Sequence, residues 1–312
     1  MDNIDCMDNI DNMEKGENVM NIGSRNFDFT NGTSYIMGIL NITPDSFSDG
    51  GSYADLDAVI DKAAQMERDG VDIFDVGGES TRPGYTLISC DEELSRVLPV
   101  IEALKARFDI PISVDTYKYQ VAERVLAEGA DMINDIWGLD YPEDPQHNMA
   151  RVIAASNKPV CIMHNRGDIM SSATKGSPYL NLSSDDPKYG FRNQLLDDLK
   201  AQLDIAFAAG ISRENIMIDP GVGFAKDLTG NVLAMAYLED LKAFDLPILL
   251  GISRKSIIGK SLDLPVDQRE EATVALNVLG RAAGCQIFRV HNVRANKRAL
   301  AMTDVIRKEM EA

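Results

Sequence analysis

The stretch ISVDTYKYQVAERVLAEGADMIND, residues 112–135, decides the fold. Two short runs, ISVD from Ile112 and MIND from Met132, flank a segment over residues 119–128 whose apolar side chains return with helical spacing, which is a strand–helix–strand unit. Outward from it the same rhythm recurs. YIMGIL from Tyr35, IFDV from Ile73, VCIM from Val160, IMID from Ile216, PILLG from Pro247 and IFRV from Ile287 bring the strand candidates to eight. Between the first two, Leu56, Val59, Ile60, Ala63 and Met66 fall at helical spacing, with Asp57, Asp61, Lys62 and Glu67 outside them. Further helices are expected near residues 92–107, 145–156, 191–209, 229–241, 269–283 and 293–308. Eight strands alternating with eight helices predict an α/β protein with a closed (β/α)8 TIM barrel in a single domain over residues 31–312. An open doubly wound sheet is the weaker alternative. Residues 1–30 are expected to be an acidic, flexible extension, because its opening is polar and repeats MDNID. Residues 166–190 are polar without a clear period, the pattern of a lid, a binding loop or a disordered surface excursion.

Composition narrows the partners. A content of 45% hydrophobic and 26% charged residues is that of a chain with a sizeable core. The net charge of −18 argues against nucleic acid or an anionic membrane as a partner, so any anionic substrate must be met by locally gathered cations. Cys6, Cys90, Cys161 and Cys285 are scattered, with neither a C-x-x-C pair nor histidines at metal-ligand spacing. With no apolar run near the roughly 20 residues that span a bilayer, a cytoplasmic location is expected.

The unusual residues gather where the strands end: NITPDSFSDGG, GGESTRPG, DTYK, NDIWG, MHNR, DPGVGFAK, SRKS and RVHNVR. In a barrel of this type that end carries the chemistry. Asn41 leaves its strand ahead of a Pro- and Gly-rich loop suited either to closing over a ligand or to an ordinary turn. Arg82 adds a cation in the second loop, unless it is a surface arginine. Asp115, Asn134 and Asp219 close apolar strands, where a carboxylate is costly unless hydrogen-bonded. They read as partners for a ligand edge rich in N–H groups, or else as a structural network. Lys255, Arg289 and His291 stand at the ends of the last two strands, where such barrels often bind phosphate. His164 reads as a buried structural imidazole or a ligand contact.

Together NITPDSFSDGG, GGESTRPG, DPGVGF and SRKS, in this order, resemble dihydropteroate synthase, and the resemblance runs from about residue 36 to the last helix. It implies condensation of 6-hydroxymethyl-7,8-dihydropterin diphosphate with p-aminobenzoate, releasing diphosphate and forming 7,8-dihydropteroate by a dissociative substitution. It further implies that Asp115, Asn134, Met163, Asp219 and Lys255 hold the pterin. Asn41, with Mg²⁺, would bind the diphosphate together with Arg82, Arg289 and His291. Phe47, Thr81, Pro83 and Ser256 would frame p-aminobenzoate. Lys255, Asp115, Asp219 and Arg289 are then the residues expected to carry catalysis. The resemblance also implies a homodimer and a target for sulfonamides. The chain departs from the family in having MHNR where many members have M-H-M-x-G. A pterin-binding methyltransferase shares the barrel and the Asp/Asn contacts but needs no diphosphate site, and a silent pterin binder would not need the full charged set.

Overall fold

The structure, a computed structural model, describes residues 19–42, 53–80, 87–165 and 187–311. All eight strands expected from the sequence are present: β3 (Tyr35–Asn41), β4 (Ile73–Gly77), β5 (Ile112–Asp115), β6 (Met132–Asp135), β7 (Val160–Met163), β8 (Ile216–Asp219), β9 (Leu249–Leu250) and β10 (Ile287–Val290). They run parallel in the order β8-β7-β6-β5-β4-β3-β10-β9, and a parallel bridge from Ile218 to Ile248 joins the two ends. The sheet is therefore a closed barrel, not an open doubly wound one. β9 starts later than its sequence run because Pro247 has no N–H to give to a ladder and the Ile248 N–H donates to Gln286 Oε1.

The helices are α1 (Tyr53–Arg68), α2 (Cys90–Arg107), α3 (Tyr119–Ala127), α4 (Asn148–Ser156), α5 (Pro187–Ala208), α6 (Leu228–Ala236), α7 (Ser256–Leu262), α8 (Glu270–Ala283) and α9 (Val293–Glu311). Two expectations about the helices need correcting. The helix anticipated over residues 229–241 stops at Ala236 and continues after Tyr237 as a 3-10 helix, Leu238–Phe244. The short α7, between β9 and α8, is an addition to the eightfold pattern.

Alternation along each strand sorts side chains into two compartments. Ile36, Leu40, Phe74, Val76, Val114, Ile133 and Phe288 point outward into one continuous core with the helices. Met37, Ile73, Met132, Cys161, Met217, Leu249 and Ile287 form a separate cluster inside the barrel. That inner cluster is completed by Met20, Ile22, Phe27 and Phe29. Met20, Ile22 and Phe27 belong to an antiparallel hairpin, β1 (Val19–Ile22) and β2 (Arg25–Asp28), turning at Gly23 with φ +60°. Phe27 and Phe29 meet Tyr35 edge-on, with ring centroids 4.9 and 5.6 Å away. The expectation of a flexible extension over residues 1–30 is thus corrected for its last part: alternating apolar residues there bury themselves in the N-terminal end of the barrel. With that end plugged, the opposite end is left for ligands.

Candidate active site at the barrel mouth

Strand register builds the mouth. Asn41 pairs with Gly77, Gly77 with Asp115, Asp115 with Asn134, and Met163 with Asp219, so the residues singled out in the sequence stand side by side around one ring. Below them Arg289 of β10 reaches across the barrel. Its Nε lies 2.5 Å from Asp75 Oδ2 and its Nη2 2.7 Å from Asp115 Oδ2. Ser113 Oγ donates to Asp75 Oδ1 at 2.6 Å, and Asn134 Nδ2 approaches Asp75 Oδ2 at 3.4 Å. One guanidinium thereby bridges two carboxylates. Burial works against its charge, but Asp75 and Asp115 outweigh this and hold Arg289 protonated above its ordinary range. For Asp115 burial dominates and raises the carboxyl, Arg289 opposes, and the nearby charge of Asp75 raises it further.

Facing this group is a second. Asp219, almost fully buried, accepts from the Gly221 N–H at 2.7 Å. Lys255 Nζ donates to the Val222 carbonyl and lies 4.6 Å from the centre of the Phe224 ring. A methyl group built on Gly251 would sit 3.5 Å from Asp219 Oδ2 and 3.6 Å from Lys255 Nζ, so both groups border the space above this glycine. Burial raises Asp219, with Lys255 opposing; burial likewise brings Lys255 down to about 8 against the pull of Asp219. Met163 joins Tyr117, Ile136 and Trp137 in an apolar cluster against which Phe224 packs. The mouth therefore offers an aromatic and thioether wall beside groups that can both donate to and accept from a flat heterocycle.

His291 N and Nδ1 both meet Ser253 Oγ, at 3.2 and 3.0 Å, and Ser256 is an exposed residue opening α7. His164 is fully buried with Nε2 3.0 Å from Asp198 Oδ2, which is the structural reading of that residue. Phe47, Thr81, Arg82 and Pro83 lie outside the described residues. Sequence reasoning missed Asp75, although a carboxylate at an alternating position within IFDV was a signal. It also missed Glu79, which accepts from Tyr117 Oη and Lys118 Nζ, each at 2.7 Å, and from the Ile88 N–H at 3.0 Å.

Residues 37–291, nearly the whole ring of strands and the loops that carry these groups, match the model of the pterin binding enzyme family. A dihydropteroate synthase of Clostridium beijerinckii is 49% identical over 288 residues, covering 92% of this chain and 99% of that one. The chain belongs to the dihydropteroate synthases. A crystal structure of the Clostridium difficile dihydropteroate synthase in the presence of pteroic acid superposes with a TM-score of 0.79 at 45% identity, covering 92% of this chain and 98% of that one. The Yersinia pestis dihydropteroate synthase with a sulfonamide drug complex gives 0.81 at 37% identity, covering 93% and 99%. A dihydropteroate synthase must hold a pterin, stabilise a departing diphosphate and admit an arylamine, and the two charged groups facing one apolar wall suit the first two tasks.

Proposed function

We propose that this dihydropteroate synthase works through the facing pairs at its barrel mouth, and the observation that carries the reading is Asp219 and Lys255 converging on the space above Gly251 beside Asp115 and Arg289. Asp115 and Asp219 accept from the amino and ring N–H groups of the dihydropterin, Asn134 completes that edge, and the Lys255 ammonium donates to its carbonyl. Met163 packs against the ring face. As the C–O bond to diphosphate breaks, its electron pair leaves with the phosphate oxygen and the pterin methylene carbon becomes cationic. The carboxylates near the ring favour that charge, while Arg289 and His291 favour the departing anion. The amine of p-aminobenzoate then forms the C–N bond and loses its proton to solvent. Ser256, at the start of α7, accompanies the p-aminobenzoate carboxylate, and sulfonamides compete for that position. Phe47, Thr81, Arg82 and Pro83 are assigned here by resemblance alone.

Mg²⁺ belongs to this proposal. No cluster of three metal-ligating His, Cys, Asp or Glu side chains exists among the described residues. Mg²⁺ takes hard oxygen ligands and usually completes its shell with substrate phosphates and water. Asn41 Oδ1, at the rim beside Gly77 and Asp115, would hold the ion. Bound there, the ion would neutralise diphosphate charge.

A homodimer is likewise proposed, from large apolar residues left exposed on the last helices. We also propose one catalytic domain that takes in the β1–β2 hairpin, with the residues before it an acidic extension. A cytoplasmic location accords with free Cys90, Cys161 and Cys285, and no described helix is long and apolar enough to cross a membrane.

The test is diphosphate release by purified protein given dihydropterin diphosphate, Mg²⁺ and p-aminobenzoate. Release is expected to need all three and to collapse in Lys255→Ala and Asp219→Ala. Unimpaired turnover in both variants would sink these assignments.

A further inference from the structure

Lys226 is a buried lysine to which the reaction assigns no step. Only 7% of it is exposed, yet its ammonium donates to three main-chain carbonyls: Gly221 at 2.9 Å, Phe224 at 3.2 Å and, more weakly, His164 at 3.4 Å. Carbonyl oxygens converging on one point repel each other. An ammonium, with three donors and a full charge, makes that convergence favourable. Burial drives this lysine down to about 7 in spite of Asp219, so enclosing it is costly, and the site retains it nonetheless.

What the carbonyls belong to gives the cost a purpose. Other groups of the same turn hold the mouth residues or anchor the turn to α6. Gly221 N–H donates to Asp219, the Val222 carbonyl accepts from Lys255, Gly223 N–H donates to Asn231, and the Phe224 ring lies under the Lys255 ammonium. Ala225, next in the chain, is held at φ +46°, a left-handed conformation that a residue with a Cβ adopts only under restraint. The third carbonyl comes from another strand end, that of His164, whose N–H already donates to Asp219 O at 2.8 Å; through its bond to the His164 carbonyl Lys226 adds a second tie between the exits of β7 and β8.

We propose that Lys226 is a positioning residue of the dihydropteroate synthase reaction: by gathering the carbonyls of His164, Gly221 and Phe224 it fixes the turn that sets Asp219 and Lys255 against the pterin. The inference rests on the assignment of Asp219 and Lys255 to the pterin made above. Lys226→Met, similar in length but without donors, is expected to raise KM for dihydropterin diphosphate roughly tenfold or more while leaving KM for p-aminobenzoate within about twofold. A folded Lys226→Met variant with wild-type KM for the pterin overturns the proposal. So does a fall in kcat that merely tracks the folded fraction, with neither KM moved. Should Lys226→Met not fold, Lys226→Gln is the variant to read. Its neutral amide reaches at most two of the carbonyls, so the same selective rise in smaller measure is expected, and an unchanged pterin KM again overturns the idea. Lys255→Ala run alongside separates the two readings. If that control is silent the site assignment fails; if it abolishes turnover while Lys226→Met is silent, only the present inference does.

Discussion

At Lys255 burial and a carboxylate pull in opposite directions, and burial wins, leaving the ammonium near 8. Because the charged form exists below that value, kcat/KM for dihydropterin diphosphate is expected to fall as pH rises through about 8. Lys255→Arg, whose guanidinium keeps its charge, should move that fall to higher pH even if it lowers the maximum. On the acid side Asp115, raised to about 7 by burial and by Asp75 against the pull of Arg289, becomes protonated as pH falls through that value and should then lose its hydrogen-bond-accepting role. A pH–rate profile that stays flat from neutrality into the alkaline range would refute the assignment of Lys255. These residues were legible in the sequence because each ends an apolar run or sits in a Ser- and Gly-rich motif. Asp75 carried only the signal of a carboxylate inside IFDV, and its partner Arg289, which gives that carboxylate its role, is 214 positions away. Lys226 was not legible: nothing in DPGVGFAK distinguishes a lysine folded under the turn from one left in solvent.

Among the elements, the barrel strands were legible because each couples a β-branched run to a chemically rich exit. The β1–β2 hairpin was overlooked because it adjoins a polar, acidic opening that dominates the composition of the first thirty residues. Its own signal was local: alternating Met20, Ile22, Phe27 and Phe29 around the Gly23-Ser24 turn. The limits of α6 were missed for a different reason, since an apolar helical period is also carried through the 3-10 turn that follows. The hairpin plugs the end of the barrel away from the chemistry, and this separates stability from activity. Phe27→Ala, at a side chain 2% exposed, should cost about 3–5 kcal/mol in urea unfolding, the range for an emptied aromatic site. KM for both substrates should be unchanged in the fraction that remains folded. Loss of pterin affinity in step with the lost stability would mean that the plug and the mouth are coupled after all.

For the molecule as a whole, two tendencies oppose each other. A net charge of −18 keeps chains apart, while several large apolar residues lie exposed on the last helices. Leu279 of α8 is 61% exposed, and Met302, Val305, Ile306 and Met310 of α9 recur at helical spacing with exposures of 56, 56, 49 and 79%. A stripe of that kind on one chain is what an isologous dimer covers, because the same patch meets its own copy. A stable contact needs about 800 Å² from each partner, which side chains on two neighbouring helices can supply together with the polar rim around them. The expected result in light scattering on an eluting column is a mass of two chains, more firmly held as salt screens the mutual repulsion. The double substitution Leu279→Glu and Ile306→Glu should give single chains that retain turnover, since no assigned site residue lies on α8 or α9. Wild-type protein running as one chain at micromolar concentration in both low and high salt would show that this surface is not a self-association site.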